Sequence, residues 1–145
     1  MSNEIVKEVP VEAIKALQSA LGKLPQLEPP TFHHFCNGLY IREMHLPSGG
    51  CFVGRLYREP GYFQLIKGTM SNVTPFDHGL ITAPYLSVIK PGSKRAGYAH
   101  TDCIILTIHR VDTTDVEEAV NQICEPEDGL LFDAHNRLRS IEWQS

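Results

Sequence analysis

Apolar residues recur along this chain with two different periods, and the change of period divides it. Val11, Ile14, Leu17, Ala20 and Leu21 fall at helical intervals, with Pro10 at the first turn and Gly22 after the last, so residues 11–21 read as a short amphipathic helix. Residues 24–30 then carry three prolines in seven positions and read as an extended connector. From residue 39 the period drops to two. Leu39 and Ile41 alternate with Tyr40 and Arg42 as in a half-buried strand over 39–46, and further strands are predicted at 51–57, 62–66, 69–74, 80–82, 85–89 and 103–111. Turn-forming residues separate them: Pro47-Ser48-Gly49-Gly50, Glu59-Pro60-Gly61, Pro75 to Gly79, Ala83-Pro84 and Pro91-Gly92. Many short strands at this spacing predict an all-β barrel or sandwich rather than alternating strands and helices.

The helical period returns once. Residues 113–123 begin with capping and acidic residues and place Val116, Val120 and Ile123 on one side, which predicts a second helix stopped by Pro126 and Gly129. Leu130, Leu131, Phe132, Leu138, Ile141 and Trp143 make the tail too apolar for a solvated end, so it should dock on the barrel or on another subunit. One structural domain results, with 1–30 as helix and connector, 31–112 as barrel, and 113–145 as helix and docking tail.

Composition narrows the function. A net charge of −4 and a pI near 5.9 exclude a general nucleic-acid binder, which needs a cationic excess. No apolar run approaches the ~20 residues of a membrane span, and the amino terminus lacks a secretory pattern, so the expectation is a cytoplasmic protein. Cys36, Cys51, Cys103 and Cys124 form no C-x-x-C pair and read as free thiols. Cys103 and His109 lie roughly 20 Å apart along one strand, too far for a nucleophile and its base. Ser48, Ser87 and Ser93 lack a nucleophile elbow.

Period two places Arg55 with Tyr57 on one side of a strand and Thr107 with His109 on one side of another, and Gln64 is a further polar strand residue that can point into a shared cavity. Lys94, Arg95 and Tyr98 follow the Pro91-Gly92 turn, where a loop would present two cations and a phenol at the barrel mouth. Guanidinium forks match carboxylates and phosphates, so the candidate ligand-binding set is Arg55, Tyr57, Gln64, Lys94, Arg95, Tyr98 and His109.

The stretch Gly54 to Gly68, Ala83-Pro84, Pro91 to Tyr98, Asp102 and Thr107-Ile108-His109, preceded by His34 to Glu43 and Leu46 to Gly49, resembles the small cupin-like proteins of tailed bacteriophages. The likeness covers about residues 33–123. It implies an antiparallel double-sheet barrel, a jelly roll, with short helices at both ends, and often a homo-oligomer, a dimer or higher. Many cupins hold a divalent metal between histidines and a carboxylate inside the barrel. Where the phage proteins carry two of those histidines this chain has Tyr57 and Gly61; His109 alone stands in place. The phenol ionises near pH ~10 and glycine offers no ligand, so no cofactor is expected. The candidates for rebuilding an iron, manganese, nickel or zinc site are His78, His100, His109 and Glu59, with His33 and His34 weaker. The favoured reading is a non-catalytic protein that holds a small polar or anionic molecule, nucleotide-like signalling molecules included, in its barrel or at a subunit interface. The alternatives are a metal-dependent small-molecule enzyme and an oligomerisation module without ligand.

Overall fold

The computed structural model describes residues 9–139. After α1 (Val11–Leu21) the strands run β1 (Thr31–Cys36), β2 (Leu39–Leu46), β3 (Cys51–Val53), β4 (Gly61–Lys67), β5 (Thr69–Val73), β6 (His78–Thr82), β7 (Tyr85–Ile89), β8 (Ala96–Ala99) and β9 (Cys103–Arg110), and α2 (Val116–Ile123) follows. They form two antiparallel sheets, a five-stranded one in the order β1-β2-β9-β4-β7 and a four-stranded one in the order β3-β8-β5-β6. The expected all-β double-sheet barrel with short flanking helices is what the chain builds.

Register fixes which residues face inward. Across the five-stranded sheet, Tyr40, His109, Gly61 and Ile89 form one transverse row. His33, Arg42, Thr107, Phe63 and Ser87 form the next, and Thr31, Met44, Ile105, Leu65 and Tyr85 the one after. The inner faces meet in a core of Leu46, Phe63, Leu65, Met70, Ile81, Ile89, Ala99, Cys103 and Ile105. Each large side chain so buried contributes roughly 1.5–3 kcal/mol. A second cluster plugs the Tyr40 end: Tyr40, Val111 and, from the end of α2, Ala119, Val120, Ile123 and Cys124. Asp115 caps α2, its carboxylate accepting the Glu118 N–H at 2.9 Å.

Four details depart from the sequence pattern. The buried side of β2 carries Tyr40 and Arg42, while Leu39 is exposed, because the larger Tyr40 fills the space above α2. β1 and β8 were not predicted. The inward positions of β1 are Thr31, His33 and Phe35, which give no apolar alternation. In β8 small residues make room: a Cβ on Gly97 would run into Met70 and Phe52, whose side chains close over it. Finally, the strand predicted at 51–57 ends at Val53, and residues 54–59 become a link tied to its neighbours by backbone hydrogen bonds. The apolar tail residues Ile141 and Trp143 lie outside the described residues.

Candidate functional site

The 54–59 link carries the site. Tyr57 is held from both directions, its N–H donating to the Ser93 carbonyl at 2.9 Å and its carbonyl accepting the Gly92 N–H at 2.8 Å. On the other side, Arg58 N–H donates to Ile123 O at 3.0 Å and Glu125 N–H to Leu56 O at 2.8 Å. The Pro91-Gly92 turn and the segment after α2 therefore grip the link between them, which aims Arg55 and Tyr57 at the interior.

A cleft of about 1140 Å³ opens beside them. Arg42, Met44, Phe63, Ile105 and Thr107 reach it from the five-stranded sheet, Phe52 and Arg95 from the other, and Arg55 and Tyr57 from the link. The last turn of α1, the proline-rich connector and residues around Leu131, Phe132 and Asn136 complete its walls. Apolar side chains make up most of its surface; Arg42, Arg55 and Arg95 are set into it, and Lys15, Lys23, Glu127, Asp128 and Asp133 also line it. The Arg95 guanidinium stacks on the Phe63 ring at 3.6 Å from its centroid and donates to Asn72 Oδ1. Arg55 donates to the Phe132 carbonyl at 3.2 Å. Among the described residues none of Arg42, Arg55 and Arg95 makes a salt bridge to a carboxylate, the ion pairs being His34–Glu43, His45–Glu43 and Lys94–Glu127. Burial lowers the pKa of both Arg55 and Arg95 from the usual guanidinium value, the expected effect of moving a cation out of water.

Of the residues singled out in the sequence, Arg55, Tyr57 and Arg95 line this cleft, with Thr107. The others stand elsewhere. Lys94 is fully buried and its ammonium sits 2.5 Å from Glu127, whose second oxygen accepts the Leu56 N–H at 3.0 Å, so it anchors the tail instead of facing a ligand. Gln64 is on the outer side of β4, opposite in parity to the buried Phe63 and Leu65. Tyr98 is 42% exposed on the outside of β8, edge-on to His100. The expected loop bearing Lys94, Arg95 and Tyr98 is thus the entry into β8, with its cations turned inward and its phenol outward. Arg42 was missed because Leu39 and Ile41 look like the buried side of β2; its place two residues from Tyr40, with which it shares parity, is the signal that could have found it.

His109 is 2% exposed, its ring stacked on Tyr57 at a centroid distance of 4.8 Å. Neither ring nitrogen has a hydrogen-bond partner, and burial lowers its pKa to about 4, so it is neutral. Burial raises the Tyr57 phenol. A Cβ on Gly61 would come within 2.5 Å of His109 Cδ2 and 2.6 Å of Nε2, so the ring occupies the space a side chain at 61 would need. His78, His100 and Glu59 are exposed, and His100 is hydrogen-bonded to Ser71 at 2.7 Å. Among the described residues no three His, Cys, Asp or Glu side chains gather where they could hold a metal. The neighbours of the His109 ring are the stacked Tyr57 phenol and Gly61. No helix of the described residues is long and apolar enough to cross a membrane.

No protein family and no curated protein sequence matches the chain. Solved structures match it in fold. Salicylate 1,2-dioxygenase from Pseudoaminobacter salicylatoxidans, solved as adducts with gentisate, superposes with a TM-score of 0.56 at 14% identity over 83% of this chain and 36% of that enzyme. KdgF from Halomonas sp. gives 0.52 at 7% identity over 63% and 87% of the two chains. The cupin domain of Schizosaccharomyces pombe Cnp3 gives 0.50 at 12% over 63% and 72%. At these identities the likeness is one of fold: the barrel is a cupin-type double-stranded β-helix.

Proposed function

We propose that this cupin-type barrel is a binding protein for a small organic anion, held in the cleft by Arg42, Arg55 and Arg95 with Tyr57 and Thr107 as hydrogen-bonding neighbours. One observation carries the reading: three arginines line a largely apolar cleft and none makes a salt bridge to a carboxylate among the described residues, Glu127 being paired with Lys94. Arg95 is buried and Arg42 and Arg55 are half-buried; cations drawn out of water without a paired carboxylate are costly, and a carboxylate or phosphate that accepts their N–H groups lowers that cost. The apolar remainder, Phe52, Phe63, Ile105 and Phe132 among it, suits the carbon frame of such a molecule. Holding is favoured over transforming because the side chains near His109 offer no set of metal ligands. The resemblance to phage-encoded cupin-like proteins makes nucleotide-like signalling molecules one class of anion to try. The test is a thermal-shift and calorimetric screen of small carboxylates, phosphate esters and nucleotides, repeated on Arg42→Gln and Arg55→Gln. A binding anion whose affinity falls at least about tenfold in each variant supports the proposal, about 1.4 kcal/mol per lost contact. Equal affinity in both variants would refute it.

A further inference from the structure

We infer that the anion taken by this cleft carries two separate acidic groups, carboxylate or phosphate, one at each end of an apolar frame, with Arg95 holding one end and Arg42 with Arg55 the other. The inference rests on the anion reading above and narrows it to one class of molecule. Register sets the two cationic poles apart. Arg42, Thr107 and Phe63 stand side by side in one transverse row over β2, β9 and β4, and the Arg95 guanidinium lies on the Phe63 ring at 3.6 Å from its centroid. Two strand spacings of about 4.8 Å therefore put the backbone of Arg42 roughly 10 Å from that of Phe63. Arg55 belongs to the Arg42 pole: burial chiefly, and the Arg42 charge besides, lowers its pKa. Around Arg95, by contrast, burial is joined by the fields of Asp77, Tyr57 and Tyr85.

Between the poles the lining is uncharged. Met44 and Ile105 occupy the next inward row, Phe52 joins them from the other sheet, and the Thr107 hydroxyl is the polar group in the middle. At about 1140 Å³ the cleft is larger than the roughly 300–1,000 Å³ that drug-sized ligands occupy, so an extended frame has room. A molecule with one acidic group can serve one pole only and leaves the other cation drawn from water without a carboxylate. The balance of charge agrees. Lys15 and Lys23 add to the arginines, and the carboxylates facing them are Glu127, Asp128 and Asp133. Glu127 is neutralised by Lys94, Asp133 accepts the His135 and Arg137 N–H groups at 2.9 and 3.0 Å, and Asp128 is exposed to water. Asp77 accepts the Thr74 hydroxyl at 2.6 Å and makes no ion pair with Arg95. Both poles are thus free to take an acidic group, which a guanidinium fork matches in pairs of N–H bonds.

Calorimetric titration of the full chain tests this with matched pairs of anions. The pairs are α,ω-dicarboxylates from succinate to suberate against monocarboxylates of equal length, terephthalate against benzoate, and fructose bisphosphate against fructose monophosphate. The expected result is a two-ended anion bound at least about tenfold more tightly than its one-ended partner, and the pair with the largest ratio tells carboxylate from phosphate ends. Arg42→Gln and Arg95→Gln should each bring that ratio below about threefold while circular dichroism melting stays cooperative. Arg95→Met stands in if Arg95→Gln misfolds, and if neither folds the ratio in the parent decides. One-ended anions that bind as tightly as their partners in every pair overturn the inference and leave the single-anion reading standing. A preference for two ends that survives in either folded variant overturns it too. So does binding by no member of any pair, in which case the wider anion screen decides the broader reading.

Discussion

Replacing Gly61 by alanine adds one methyl group at the point where the site is tightest. That methyl carbon would stand 2.5 Å from the Ile108 carbonyl oxygen, 2.5 Å from His109 Cδ2 and 2.6 Å from His109 Nε2. The first of these neighbours is backbone within the β4–β9 ladder, and the ring is stacked on Tyr57, so neither yields freely. Gly61 does not have a positive φ, so the cost is one of space alone. Overpacking of this kind costs about 1–3 kcal/mol. At roughly 3–4 °C per kcal/mol for a chain of this length, the melting temperature should fall by about 3–12 °C. Gly54→Ala is the internal control: its new methyl would meet nothing nearer than the Arg95 carbonyl oxygen at 3.6 Å, so stability should hold or rise by about 0.4–1 kcal/mol through the unfolded chain. Adding His109→Ala to Gly61→Ala should relieve the ring contacts and leave the carbonyl contact, giving a coupling of at least about 0.5 kcal/mol in the double-mutant cycle. Differential scanning calorimetry reads the parent, Gly61→Ala, Gly54→Ala, His109→Ala and the double variant. A Gly61→Ala protein melting with the parent, or a Gly54→Ala protein falling equally far, would refute the packing of His109 against residue 61.

Further outcomes follow from the same interior. Lys94→Met strands the Glu127 carboxylate in a protein environment and should cost about 3–5 kcal/mol in urea unfolding, with Lys94→Met/Glu127→Leu recovering most of it; a single variant losing under about 1 kcal/mol would show the pair is not buried as described. His109 takes up a proton near pH 6.5 in the unfolded chain but only near about 4 in the fold, so its contribution to stability is complete above pH 6.5 and is lost as pH falls toward 4. At about 1.4 kcal/mol per pH unit the loss approaches roughly 3 kcal/mol, and His109→Gln should flatten that part of the pH–stability curve. A curve of the same slope in the variant would assign the acid sensitivity to other groups, His33 first, whose pKa burial also lowers to about 4.

How much of this was legible in the sequence follows from what each residue reports. Strands declared themselves as short apolar runs between turn residues, as at Tyr85–Ile89, and the two helices by an apolar stripe along one side. Thr31–Cys36 and Ala96–Ala99 did not: one turns Thr31 and His33 inward, the other uses Gly97 to let Phe52 and Met70 close over it, and neither leaves a hydrophobic period. The same blindness governs the site. Tyr57 and Arg95 do line the cleft, though Tyr57 reaches it from the 54–59 link, held by Ser93 and Gly92, and not by strand parity. Lys94 and Tyr98 were misplaced because the chain after the Pro91-Gly92 turn is a buried entry into β8 and no open loop: residues 93–96 are all buried, and Tyr98 turns outward only within the strand. Glu127, 33 residues beyond its partner, could not be paired with Lys94 by any local pattern.

The central claim is that the guanidinium groups in the cleft exist to hold an anion, and native mass spectrometry of the gently purified chain tests it most directly. The predicted spectrum contains 16.2 kDa subunits carrying a small non-covalent adduct that competes with added carboxylates or phosphate esters and is lost in Arg42→Gln/Arg55→Gln. An adduct-free parent that also shows no thermal shift with any such anion would contradict the account.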